Sequence, residues 1–146
     1  MAETLGMLCD KLTIVKLKQF HTEDVARLES LARQEDMLKQ EIDGFLADAV
    51  AGNIPIDRLS FASNKVFKKE GNAVADVVGT VGLVFAQLAD VNCRLWHEQE
   101  KVYEFETVPP EAKDAVVKQL AVLNLERNKC IDEIDRRLVE FIKNKQ

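Results

Sequence analysis

At 146 residues the chain is long enough for one domain that buries most of the surface its unfolded form would expose. Hydrophobic residues make up 47% and charged residues 31%, while Gly and Pro number only 6 and 3, a composition that predicts an all-α fold. The net charge of −5, from 25 acidic and 20 basic residues with no long basic run, excludes duplex DNA and an anionic membrane as default partners.

The opening MAETLGMLCD has neither the basic nor the apolar region of a signal peptide, so the expected location is the cytoplasm. From Thr4 to Phe20, Leu5, Leu8, Leu12 and Val15 keep the three-four spacing of one helix face, which Ile14 and Leu17 broaden. A second stripe runs between Val25 and Ala49 through Leu28, Leu31, Glu35, Leu38, Ile42, Phe45 and Ala49, out of phase with the first. A turn at HTED, with Thr22 as N-cap and Glu23 and Asp24 at the positive end of the next helix, accounts for the slip; a stutter in one continuous helix is the alternative. Ala51-Gly52-Asn53 supplies a left-handed C-cap, and Pro55 prevents the helix from resuming.

Residues 54–72 are the least regular stretch. DRLSFASNKVFKK predicts a short helix capped by Asp57, with Phe61 and Phe67 covering one end of the bundle. The alternative there is an anionic partner held by Lys65, Lys68 and Lys69.

A third helix is expected from about Ala73 to Phe105. Its most apolar run, AVADVVGTVGLVFAQLA, is interrupted by Asp76 and Gln87 and falls short of the roughly 20 residues of a membrane span. Large residues form one stripe: Val74, Val78, Val81, Phe85, Leu88, Asn92, Leu95, Gln99 and Val102. Small residues form another beside it: Ala75, Gly79, Gly82, Ala86, Ala89 and Cys93. An interior glycine costs about 1 kcal/mol relative to Ala, so close approach by a neighbouring helix is the expected compensation. The third helix is therefore expected to be central or to face a second subunit.

Thr107-Val108-Pro109-Pro110 ends this helix and begins a fourth, because the residue before a proline avoids α geometry and proline suits a first turn. The stripe of the fourth is Leu120, Leu123, Arg127, Ile131, Ile134, Leu138 and Phe141. So short a connection predicts an antiparallel hairpin whose two helices, at roughly 35 residues each, are near 50 Å long.

Three stretches set polar residues on or beside these stripes: LCDKLTIVKLKQFH (8–21), VNCRLWHEQE (91–100) and LNLERNKCIDEID (123–135). Asn92, Trp96, His97 and Glu100 stand where apolar residues should continue. Buried polar groups of this kind must be paired, since an unpartnered one costs about 1–3 kcal/mol. Asn92 and Asn124 are about equally far from the hairpin turn, which predicts a shared layer of Asn92, Trp96, Asn124, Arg127 and Asn128, with the Trp96 ring offering a face to the guanidinium. Such a layer acts as a register lock. The alternative is a site for a small polar ligand or a partner side chain, with Asp10 or Lys11 contributed by the first helix.

His21 with Asp24, and His97 with Glu100, lie three residues apart and share helix faces, yet the Glu-x-x-His motifs of a di-iron bundle are missing. No metal and no other cofactor is expected. Nucleophile-elbow, P-loop and dinucleotide motifs do not occur either, so no catalytic residue is assigned. Cys9, Cys93 and Cys130 are odd in number and far apart, which predicts reduced core thiols.

In chain order, DKLTI with the following LK and His, then N-x-x-LW-H-x-x-E, then LN-x-x-RN-x-x-I-x-x-ID, resemble an uncharacterised bacterial helical family designated domain of unknown function 4254. Asp10-Lys11-Leu12, Asn92, Leu95-Trp96-His97, Glu100, Asn124, Arg127-Asn128 and Asp135 stand at matching positions over most of the chain. Gln99-Glu100 departs from the Glu-Asp pair expected after the Trp-His. Members tend to lie beside glycosyltransferase genes of surface-polysaccharide loci, so the resemblance implies an accessory role in glycan assembly, by association rather than mechanism. RNKCIDEIDRRLVEFI is also similar in composition to the opening helix of the all-helical chorismate mutases, although here the stretch is C-terminal.

These observations predict a single all-α domain over residues 1–146, a bundle of three or four long antiparallel helices. It is expected to form a homo-oligomer, most simply a dimer, or to bind a protein partner, and to act as a non-catalytic accessory or scaffold protein. The alternative is an enzyme or small-ligand binder that uses Asp10, Lys11, Asn92, Trp96, Glu100, Asn124, Arg127 and Asn128.

Overall fold

The computed structural model describes residues 3–61 and 77–144. Among the described residues there are four α-helices and no strand: α1 (Leu5–His21), α2 (Val25–Ala51), α3 (Val81–Tyr103) and α4 (Pro110–Asn144). Short 3-10 turns stand at Ile56–Arg58 and Phe105–Thr107. The fold is the all-α bundle that composition and periodicity predict.

Capping chemistry sets the helix limits. Thr4 accepts a hydrogen bond from the Met7 amide and starts α1. The HTED segment does separate α1 from α2, but the cap is Asp24, whose carboxylate accepts from the Arg27 amide at 3.1 Å; Thr22, the expected cap, is extended backbone that ends α1. Gly52 closes α2 at φ 80, a left-handed conformation open to glycine without Cβ strain, with its amide bonded to the Ala49 carbonyl at 3.2 Å.

The third helix starts at Val81 rather than Ala73. Gly79, at φ 129, precedes the capping Thr80, which accepts from the Leu83 amide. Residues 62–76, with Lys65, Phe67, Lys68, Lys69, Val74 and Ala75, lie outside the described residues. Ahead of them the expected Asp57-capped helix is a single 3-10 turn, and Phe61 is exposed. At 23 residues α3 is roughly 35 Å long, shorter than expected, whereas α4 with 35 residues reaches roughly 50 Å.

α3 and α4 pair as the predicted hairpin, α1 and α2 as a second, and α1 alone packs substantially on the other three helices. The central helix is therefore α1, not α3. Within this chain the described part of the small-residue stripe meets no helix closely: a Cβ on Gly82 would meet nothing within 4 Å, and Ala86 and Cys93 are exposed. Burial on α3 falls on Val84, Leu88, Val91 and Asn92. Close backbone approach happens instead at Gly6 of α1, where a Cβ would stand 2.4 Å from the Ile131 carbonyl oxygen of α4.

The main core joins Leu5 and Cys9 of α1, Ala49 of α2, Leu59 and Val77 from the connecting segments, Val84 and Leu88 of α3, and Cys130, Ile131, Ile134, Leu138 and Ile142 of α4. Ile142 takes the place expected for Phe141, which is exposed. These residues cluster at the end of the bundle where α1 and α3 begin and α2 and α4 finish. α2 buries only Leu31 and Ala49. Its stripe residue Glu35 instead clasps Lys16 of α1 and Lys39 of its own helix, each at 2.7 Å. Hydrogen bonds from Lys16, then Lys39, then Gln19 hold its carboxyl down to about 2. Among the described residues no helix is long and apolar enough to cross a membrane.

Candidate functional site: a buried carboxylate at the junction of three helices

Asp10 lies on the inner face of α1, one helical turn beyond the first core residues, and is buried. Arg127 of α4 grips it from one side, Nε donating to Oδ1 at 2.8 Å and Nη2 to Oδ2 at 2.5 Å. From α3 the Asn92 amide donates to Oδ1 at 2.9 Å and to the Thr13 hydroxyl oxygen at 2.7 Å, while that hydroxyl donates to the Asp10 carbonyl. One carboxylate thus ties α1, α3 and α4 together. The planar guanidinium fork matches a carboxylate in two parallel charge-assisted bonds, the strongest class of side-chain hydrogen bond. The bond to Asp10 is the largest influence on Arg127 and raises its pKa further, outweighing burial.

The predicted layer is real in part but assembled differently. Asn92 and Arg127 meet through Asp10 of α1, not directly across the α3–α4 hairpin. Asn124 and Asn128 stay with their own helix, donating to the carbonyls of Leu120 and Asn124 one turn back at 3.0 and 2.8 Å. Trp96 stacks on His21 of α1, ring centroids 4.8 Å apart and planes 12° from parallel, and Phe20 meets the same imidazole edge-on. A bidentate ion pair outweighs a cation–π contact, so Arg127 goes to Asp10 and leaves Trp96 to His21. Cys93, His97 and Glu100 of α3 line an open groove of about 450 Å³ beside this stack, with Leu17 of α1. Lys11 pairs with Glu3 on the exposed edge of α1.

One acceptor in the layer is unfilled: the Asn92 Oδ1 is buried without a hydrogen-bond partner among the described residues. Arg127 keeps 32% of its side chain exposed, toward a cleft between α1 and α2.

A second buried carboxylate was not read from the sequence as part of any site. Asp135 of α4 accepts from the Gly6 amide at 2.7 Å and so satisfies the first turn of α1. Burial pushes its pKa from 3.8 up to about 6, against the lowering effect of hydrogen bonds from Thr4 and Gly6. The sequence sets Asp135 among polar residues beside the α4 stripe that need partners, but its partner, the Gly6 amide where a Cβ would collide with α4, has no local signal. Cys9, beside both carboxylates, is raised to about 11 by burial and then by Asp135 and Asp10, and burial raises Cys130 to about 12. Both are inert core thiols, as expected, but Cys93 is exposed.

Among the described residues no three His, Cys, Asp or Glu side chains gather as a metal site requires, and the His21–Asp24 and His97–Glu100 pairs gain no third ligand. No family model, curated protein or solved structure matches the chain.

Proposed function

We propose that the protein is a non-catalytic helical scaffold of the bacterial cytoplasm that works through its helix faces and associates with itself or with a protein partner. The observation that carries this reading is that the buried Asp10 carboxylate is already paired within its own chain, by Arg127 and Asn92. A carboxylate held in this way defines register, because sliding α1 by one turn leaves a buried charge unpaired at a cost of several kcal/mol. Large side chains that a solitary monomer has no use for stand exposed, among them Phe20 at 84% and Tyr103 at 80%. The residues resembling the bacterial family include the lock itself, Asp10, Asn92 and Arg127, and the stacked Trp96. That likeness supports an accessory place in surface-glycan assembly.

The decisive experiment is Asn92→Leu, read by thermal melting and by light scattering. A lower Tm or a changed molecular mass is expected, since the Asp10 and Thr13 acceptors lose their donor. An unaltered Tm and mass would overturn the lock. Light scattering that reports only monomer at high protein concentration would overturn the self-association.

A further inference from the structure

We propose that the protein dimerises across the cleft between α1 and α2, with α2 of one copy seated end for end on α2 of the other so that Lys18 of each copy meets Glu41 of its partner. This names the face behind the self-association proposed above and rests on that reading.

α2 is the helix with most to gain from a partner. It has 27 residues yet buries only Leu31 and Ala49, and it packs substantially on α1 alone. Helices in folded proteins draw most of their stability from a packed apolar face, so α2 is poorly supported in a single copy. Gln34, Met37 and Glu41 follow one another at three- and four-residue spacing along its wall of the cleft. Met37, in the middle, is 60% exposed although Leu38 lies beside it and Ile14 and Val15 of α1 line the same cleft.

Charge identifies what covers this face. The Lys16–Glu35 pair fixes the register of α1 against α2 and sets Lys18 beside Gln34 at one end of the cleft. Glu41 stands toward the other end, about 10 Å further along α2 than Gln34 at 1.5 Å per residue, across the apolar middle from Lys18. Of the other charged groups that line the cleft, Asp10 is taken by Arg127 and Lys11 by Glu3. Lys18 and Glu41 have no ion-pair partner among the described residues. One copy thus presents an unmatched cation and an unmatched carboxylate on either side of an apolar centre, a pattern complementary to itself under a twofold rotation. With the axis passing Met37, the second α2 runs antiparallel to the first. Methionine then meets methionine, a side chain flexible enough to pack against its own copy, and each Glu41 reaches Lys18 and Gln34 of the other chain. A ligand of one charge matches one end of the cleft; a second copy matches both.

The test is sedimentation equilibrium of the full chain over rising protein concentration, in which wild type is expected to form a dimer. Lys18→Glu and Glu41→Lys each set like charges together at both symmetric contacts. Both sites are exposed and away from the Asp10 lock, so each variant should weaken the dimer about tenfold or more while its helical circular dichroism is unchanged. An equimolar mixture of the two variants restores an opposite pair at both contacts, and it should recover a dimer about as tight as that of wild type, a rescue that no effect within one chain can imitate. Wild type that stays monomeric would overturn this face together with the self-association it rests on. A wild-type dimer that neither charge reversal weakens, or weakened variants whose mixture fails to recover, would overturn the face while the self-association stands.

Discussion

Asp10 shows how a single charged residue is tolerated inside a helical bundle: it is enclosed only because Arg127 and Asn92 fill its acceptor sites. Removing one member of such a pair is worse than removing both, since the survivor is left charged and poorly solvated. Arg127→Met is therefore expected to cost roughly 3–5 kcal/mol in urea unfolding, and the double variant Asp10→Asn with Arg127→Met less than the sum of the two single changes. Strictly additive losses would mean that the pair contributes no coupling. Asp135 behaves in the opposite sense. Its folded pKa, about 6, lies above its ordinary 3.8, so between these values the folded chain binds more protons than the unfolded one. Its contribution to stability is therefore present at pH below about 4 and is lost as pH rises to about 6, by up to roughly 3 kcal/mol. Asp135→Asn should abolish that portion of the pH dependence in equilibrium unfolding; an identical slope in wild type and variant would show that Asp135 does not titrate in this range.

At the level of the helices, glycine separates contact from pattern. Gly6 begins α1 against the backbone of α4, and Gly44 lies within α2 where a Cβ would meet nothing within 4 Å. Gly6→Ala is expected to destabilise by about 1–3 kcal/mol through overpacking at Ile131 and Asp135. Gly44→Ala is expected to stabilise by up to about 1 kcal/mol, because alanine loses less backbone entropy in a helix. Thermal melts of the two variants should move in opposite directions, and a shared direction would contradict the packing described. Neither outcome is legible from spacing. The small stripe of α3 had the stronger sequence signal, yet Gly82 faces open space and Gly6, with no stripe around it, is the residue in contact. Periodicity records how apolar a face is; it carries no information on how near a neighbour comes.

For the molecule as a whole, burial is uneven: the core gathers at one end, and α2 packs substantially on α1 alone. Few buried apolar contacts make a segment the first to open. Amides of α2 are thus expected to exchange with solvent faster than those of α4 between Cys130 and Leu138, where buried residues are dense; equal protection of the two would contradict this ranking. The helical stripes, the α3–α4 hairpin and the Gly52 cap were already readable in the chain, because apolar period, proline and glycine act within a few residues of where they stand, whereas the break between α1 and α2 stood open against one continuous helix. Which polar groups would meet was not. Asn92 and Arg127 were rightly marked as needing partners, but the partner lies 82 and 117 residues away on α1, and Trp96 turned to His21 instead. Local interactions are written in neighbouring residues, whereas the pairing of distant ones follows from how α1 inserts between the hairpin and α2, a result of packing the whole chain at once.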